Sequence, residues 1–109
     1  MATAYKVLGQ VAPAATTSTA VYTVPSATEA VVSSVTVCNR AGASATFRLA
    51  VRPNGATLAN EHYLVYDTSL AANDTIVLTI GVTMDAADVL EAYASSGDLT
   101  FHAYGSEIS

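Results

Sequence analysis

The 109-residue sequence holds one cysteine, Cys38, and no tryptophan. A single cysteine excludes an intrachain disulfide and a cysteine-based metal cluster. Basic residues are scarce too, because only Lys6, Arg40, Arg48 and Arg52 are cationic, against nine acidic residues and a net charge of −5. Four scattered cations cannot neutralise a phosphate track, and an anionic membrane surface would repel the chain. We therefore expect neither nucleic-acid binding nor membrane binding.

Long apolar runs are missing as well. No stretch of about 18 apolar residues is present that could span a membrane. Residues 1–10 lack the basic flank and the apolar run of a secretory signal peptide, so we expect a soluble protein made inside the cell. The length predicts one domain over residues 1–109, because two cores would each be too small to be stable alone.

Small residues dominate what is present. The sequence contains 21 Ala, 14 Thr and 10 Ser, and 51% of its residues are hydrophobic while only 12% are charged. This balance argues against disorder, which requires low hydrophobicity and high charge. Threonine and valine favour pleated surfaces through their β-branching, and alanine at inward positions lets two sheets approach closely.

Apolar and polar residues alternate through most of the chain, which is typical of half-buried strands. In residues 45–52, Phe47, Leu49 and Val51 alternate with small or cationic residues. Residues 85–93 could form a short helix, but we favour a turn followed by a strand. The pattern predicts an all-β fold with little or no helix, an antiparallel β-sandwich of jelly-roll or immunoglobulin-like type with seven to eight strands. The predicted strands cover residues 5–8, 19–24, 30–39, 45–52, 61–68, 75–80, 88–94 and 99–104.

Turn residues separate these strands. Pro53-Asn54-Gly55 is the strongest turn pattern, because proline presets φ and Asn-Gly tolerates positive φ. Asn73 and its neighbours predict a second turn. Residues 10–18, rich in Ala and Thr, predict an extended loop that bridges the two sheets.

Catalytic and metal-binding patterns are absent from the sequence. His62 and His102 stand on separate predicted strands with no second ligand at metal-binding spacing. Asp85 and Asp88 lack the alternating oxygen ligands of a calcium loop. Cys38 lies within a predicted strand and is expected to be a buried structural thiol. We therefore expect no enzymatic activity, no cofactor and no bound metal.

Tyrosines and arginines are the remaining candidates for recognition. Tyr63 and Tyr66, three apart on one predicted strand, should point to opposite faces. They could form a sugar- or protein-binding platform, or their rings could pack inward with the hydroxyls at the rim. Arg48 and Arg52 share one strand face, where they could pair with acidic residues across a subunit boundary or remain solvated.

Several segments of the sequence resemble small structural proteins of tailed bacteriophages. They are residues 4–10, 22–25, 30–32, 37–40, 47–53, 60–63 and 105–108. The resemblance implies a non-enzymatic β-rich virion component, assembled in the bacterial host cytoplasm and displayed in many symmetric copies. Its partners would be itself and other capsid or tail proteins. It would serve as capsid decoration or cement, or as a tail, baseplate or fibre subunit.

This expectation suggests where contacts would lie. The expected interface residues are Tyr5, Arg48, Arg52, Tyr63, Tyr66 and Tyr104. A second hypothesis is a carbohydrate-binding module at a fibre tip that contacts the host surface through its tyrosines. The absence of tryptophan counts against that hypothesis.

Overall fold

The computed structural model describes residues 2–109, which form nine strands and two single-turn 3-10 helices, Pro53–Gly55 and Asn60–His62. Among these residues, no helix has the length and apolar character needed to cross a membrane. The strands are β1 (Thr3–Val11), β2 (Thr19–Thr23), β3 (Glu29–Asn39), β4 (Ala45–Arg52), β5 (Tyr63–Leu70), β6 (Thr75–Leu78), β7 (Val82–Met84), β8 (Val89–Ala94) and β9 (Leu99–Ile108).

Two antiparallel sheets pack against each other, which confirms the predicted β-sandwich. The first sheet has the order β1-β9-β3-β6, with β7 also pairing with β3, and the second has the order β2-β8-β4-β5. When β6 and β7 are counted together, the first strand pairs with the last, the second with the next to last, and so on inward. This nested pairing is the jelly-roll order.

The observed strand bounds differ from the predicted ones for local reasons. Strand β4 begins and ends as predicted, but the strand predicted over residues 75–80 ends at Leu78 as β6. A further strand, β7, follows Gly81, which has a φ of 55°, so the described residues form nine strands where seven to eight are predicted. Strand β5 begins at Tyr63 because a 3-10 turn precedes it, in which the Ala59 amide donates to His62 Nδ1 at 3.0 Å. Residues 85–93 form a turn followed by β8 and not a short helix, which agrees with the interpretation favoured from the sequence. A loop carries the chain from the first sheet to the second, as predicted, but it begins after Val11 because residues 10 and 11 of the predicted loop belong to β1.

The core consists mainly of valine, leucine and alanine, with two phenylalanines at its centre. Phe47 on β4 and Phe101 on β9 come from opposite sheets and are fully buried. Their rings meet edge to face with centroids 6.0 Å apart. Because most of their neighbours are small, these two rings supply much of the apolar area between the sheets.

A bulge in β3 changes which of its valines face the core. The register with β9 shifts between Val32 and Ser34, so Val32, Val35 and Val37 are fully buried. Simple alternation over residues 30–39 puts Val31 on the same side as Val35 and Val37. In the structure Val32 takes that side instead, because the extra residue at the bulge reverses the facing of the first part of the strand.

Two glycines allow the backbones to approach closely. A Cβ on Gly9 would overlap the carbonyl of Val21 on β2, and a Cβ on Gly105 would overlap the carbonyl of Val31 on β3. Gly9 thus lets the edge of the first sheet lie against the edge of the second. Any side chain at these positions would force the strands apart.

We predict that Phe47→Ala lowers the free energy of unfolding by about 3–5 kcal/mol, because it removes a fully buried ring and leaves a cavity. Urea denaturation followed by circular dichroism measures this loss. Val77→Ala is the control, since Val77 is 60% exposed and should change stability by no more than about 0.5 kcal/mol. A Phe47→Ala protein as stable as the Val77→Ala protein would contradict the described core.

Candidate functional site

The outer face of the second sheet carries a cluster of aromatic and charged side chains around Arg48. Its guanidinium carbon lies 4.2 Å from the ring centre of Tyr66 and 4.4 Å from that of Tyr93. Arg48 also donates to Asp67 through two nitrogens, at 2.6 and 3.2 Å. Tyr63 meets Tyr66 edge to face with ring centres 4.8 Å apart. We call these five residues the Arg48 cluster.

Bulges in β5 bring the Arg48 cluster together. Strand β5 has one extra residue relative to β4 between Tyr63 and Val65, and another between Val65 and Thr68. Asp67 has a φ of 52°, in the left-handed region that aspartate tolerates better than most residues. The prediction that Tyr63 and Tyr66 point to opposite faces is wrong, because the first bulge puts both rings on the same side.

Both arginines of the predicted row have acidic partners within the chain. The hydrogen bonds from Arg48 lower the pKa of the Asp67 carboxyl. Arg52 lies 3.3 Å from a carboxylate oxygen of Glu91, which is buried. The sequence allows these arginines either to pair across a subunit boundary or to remain solvated. In the structure both pair within the chain, with acids that β5 and β8 supply.

Arg52 also holds the loop that follows β4. Its Nη1 donates to the carbonyls of Gly55 and Ala56, at 3.1 and 2.9 Å, while its buried Nε has no partner. The amide of Asn54 donates to Asp88 Oδ1 at 2.7 Å, and the positive φ values of Asn54 and Gly55 confirm the predicted turn. Arg52 is thus only partly exposed, beneath this loop.

A second polar cluster joins the two sheets at one end of the sandwich. Lys6 on β1 lies 2.7 Å from Glu107 Oε1, and the hydroxyl of Tyr22 on β2 donates to Glu107 Oε2 at 2.5 Å. Hydrogen bonds from Lys6 and Tyr22 lower the pKa of Glu107, while burial and the Glu107 carboxylate raise that of the Tyr22 hydroxyl. We call Lys6, Tyr22 and Glu107 the polar clasp, because it links β2 of the second sheet to the first sheet.

The outer face of the first sheet exposes apolar side chains at both edges. Tyr5 on β1 is 85% exposed, and Val77 on β6 is 60% exposed. Val7, half exposed on the same face as Tyr5, is in register with Tyr104 on β9. The Tyr104 ring stacks on His102, with ring centres 6.1 Å apart. Tyr5, Val7 and Tyr104 form one continuous apolar strip, which we call the β1 strip.

The remaining reactive side chains are isolated from one another. The sequence predicts both histidines on strands. His62 instead lies in a 3-10 turn, whereas His102 lies on β9 and is hydrogen-bonded to Gln10. Cys38 is only half-buried, whereas the sequence predicts a buried structural thiol, because its side chain faces outward on β3. Within residues 2–109, no three His, Cys, Asp or Glu side chains come together as a metal-binding group.

Sequence reasoning missed several members of these clusters. Asp67 and Tyr93 join Arg48 only through the pairing of β4 with β5 and β8, and strand order could not be derived from alternation. The polar clasp links residues 85 positions apart, Tyr22 and Glu107. Glu107 lies beyond the last predicted strand, residues 99–104, whereas β9 extends to Ile108, so the alternation gives no indication of this contact.

We predict that Arg48→Lys lowers the denaturation midpoint, although it keeps the positive charge. Lysine lacks the planar fork that bonds Asp67 twice and stacks between two rings. Thermal unfolding followed by circular dichroism measures the change. Arg40→Lys is the matched control, because Arg40 is exposed and its side chain donates a single hydrogen bond among the described residues, to the Gly97 carbonyl. Equal midpoints for the two variants would contradict the stacked arrangement.

We also predict that the polar clasp stabilises the fold in a pH-dependent way. The pKa of Glu107 is lowered in the folded state, so its contribution is present above the unfolded pKa and is lost as pH falls through the folded pKa. Glu107→Gln should cost about 1 kcal/mol near neutral pH. This difference from wild type should shrink as pH falls below about 4.5.

Urea denaturation at several pH values measures that difference. Glu61→Gln is the control, because Glu61 is exposed and forms no ion pair within the described residues. A difference between wild type and Glu107→Gln that stays constant from neutral to acid pH would contradict the clasp.

Comparison with known proteins adds no relative to this description. No protein-family model matches the sequence, and no curated protein matches it.

Proposed function

We propose that the chain is a non-enzymatic structural subunit of a tailed-bacteriophage particle. It assembles in many symmetric copies as capsid decoration or cement, or as a tail, baseplate or fibre subunit. The observation that carries the proposal is the exposure of large apolar side chains on edge strands of both sheets. Tyr5 is 85% exposed on β1, and Tyr66 is 58% exposed on β5.

The placement of these side chains favours contact with other proteins. Leu64 and Tyr66 lie on the edge strand β5, beside the rigid Arg48 cluster. Tyrosine and arginine are enriched at protein interfaces because they combine a large contact area with polar groups. Arg48 already has its counter-ion within the chain, so covering this surface would not leave an unpaired charge.

The fold supports the proposal by analogy only. Jelly-roll sandwiches occur in viral capsid proteins and in lectins, so the architecture suits either assembly or sugar binding. The sequence resemblance to small phage structural proteins favours the first of these roles. The acidic charge of −5 fits protein partners better than nucleic acid.

Glycan binding is the alternative role for the tyrosines. A sugar-binding platform uses open faces of aromatic rings. Arg48 lies over one face of Tyr66 and one face of Tyr93, and Tyr63 packs edge to face against Tyr66. This packing leaves less open ring face for a sugar and favours protein contact.

Peptide mass spectrometry on phage particles tests the proposal, after heads and tails have been separated. The particles are those of the phage whose genome encodes the chain. We expect this protein in one of the two fractions. Abundance close to that of the major capsid protein would assign it to decoration or cement. Low abundance with tails would assign it to the baseplate or a fibre.

Absence of the protein from both fractions would overturn the proposal.

A glycan array with the purified protein tests the alternative role, sugar binding. Binding that disappears in Tyr66→Ala but persists in Tyr5→Ala would assign the Arg48 cluster to sugar recognition. Because the two tyrosines lie on different sheets, each variant is the control for the other.

A further inference from the structure

The first part of β1 is a free sheet edge whose unpaired backbone groups can be identified. Ala2 and Ser109 exchange both backbone hydrogen bonds, at 2.7 and 2.9 Å. The register with β9 then continues without a shift to Val7. Since hydrogen-bonded pairs alternate along an antiparallel ladder, Ala4 and Lys6 direct their backbone groups toward β9. Thr3, Tyr5 and Val7 therefore direct theirs away from the sheet.

The other edge strands carry features that oppose further pairing. Strand β5 is interrupted by two bulges, and β6 and β7 are separated around Gly81. Strand β2 has five residues and a register shift, and it lies beside β1. Bulges, short lengths and covered edges are the usual means by which proteins prevent edge-to-edge association. Residues 3–7 contain no bulge, because the register shift of β1 comes after Val7, and all five are exposed. Their one charged side chain, Lys6, already pairs with Glu107 of the same chain.

We propose that residues 3–7 of β1 pair antiparallel with the same residues of a second copy of this chain, around a two-fold axis at Tyr5. The inference rests on the proposed assembly role and names one of its contacts. In this register Tyr5 lies opposite Tyr5 of the second copy, and Thr3 lies opposite Val7. The backbone groups that face outward at these three positions then bond to one another across the axis.

Charge excludes the two-fold register centred on Lys6, and the register centred on Tyr5 is the one that pairs all of the exposed residues 3–7 with their counterparts. A register centred on Lys6 would place two like charges directly opposite, which is destabilising. In the register centred on Tyr5, Lys6 lies opposite Ala4 of the second copy. Each Lys6 also keeps its own counter-ion, because its ammonium lies 2.7 Å from Glu107 of the same chain.

The side chains also match across this contact. Tyr5 and Val7 lie on the outer face of the sheet, so pairing joins the β1 strips of two copies into one apolar surface. Aromatic residues directly opposite each other are among the favourable cross-strand pairs. A five-residue strand pair is smaller than the roughly 1,000 Å² of a stable interface. The pairing should therefore be weak in dilute solution and strengthened where many copies are held together.

Disulfide trapping in the purified full-length protein tests the register. Cys38 is first replaced by serine, and Cys is then introduced singly at Thr3, Tyr5 or Val7. Opposed residues of a hydrogen-bonded pair have Cα atoms about 5.5 Å apart, which a disulfide can bridge. Thr3 of one copy would lie about 14 Å from Thr3 of the other, which is too far.

We expect Tyr5→Cys to form disulfide-linked dimers at least about tenfold faster than Thr3→Cys or Val7→Cys alone. A mixture of the Thr3→Cys and Val7→Cys proteins should link to each other faster than either links to itself. Non-reducing electrophoresis and intact mass measure both results. Equal rates for all three single variants would mean random collision between exposed thiols and would overturn the proposal.

Tyr5→Pro supplies an independent measurement. The Tyr5 amide faces the free edge, so proline there removes an intermolecular donor and leaves the ladder with β9 intact. Sedimentation of wild type at rising concentration should show dimers, whereas Tyr5→Pro should stay monomeric with a melting temperature within about 3 °C of wild type. Wild type that stays monomeric throughout, or a variant that dimerises equally, would overturn the proposal. These measurements use no phage particle, so their failure is distinct from failure of the proposed virion role.

Discussion

The pairing of β9 with both β1 and β3 is the constraint on which the sandwich depends. β9 is the last strand of the chain, yet it lies inside the first sheet between two strands from the N-terminal part. It contributes Phe101 to the core and Glu107 to the polar clasp. Because these contacts join distant parts of the sequence, the first sheet cannot form until nearly the whole chain is available. The same pairing leaves β1 at the edge.

Bulges decide which side chains reach the surface. In β5 they put Tyr63 and Tyr66 on one side and give Asp67 the position from which it bonds Arg48. The same bulges interrupt the edge that β5 would otherwise offer to another strand. One local feature therefore assembles the Arg48 cluster and also interrupts this edge of the sheet. The first part of β1 lacks such a feature, which sets this edge apart.

The sequence predicts the architecture better than it predicts the surfaces. Alternation in residues 45–52 predicts β4 correctly, because one face of that strand is fully buried and the other is not. Alternation fails at Ser33 and between Tyr63 and Tyr66, because one extra residue in a strand reverses its facing. The sequence indicates the candidate interface residues only through their residue types. Their partners, such as Tyr93 for Arg48, depend on strand order, which no local pattern encodes.

Amide hydrogen exchange along β1, resolved for single residues, tests the central claim most directly. The account predicts slow exchange at Ala4 and Lys6, whose amides face β9, and fast exchange at Thr3 and Tyr5 in dilute protein. Raising the protein concentration should then slow exchange at Tyr5. Uniformly fast exchange at all four residues would contradict the pairing of β1 with β9. Slow exchange at Tyr5 in dilute protein would contradict the free edge.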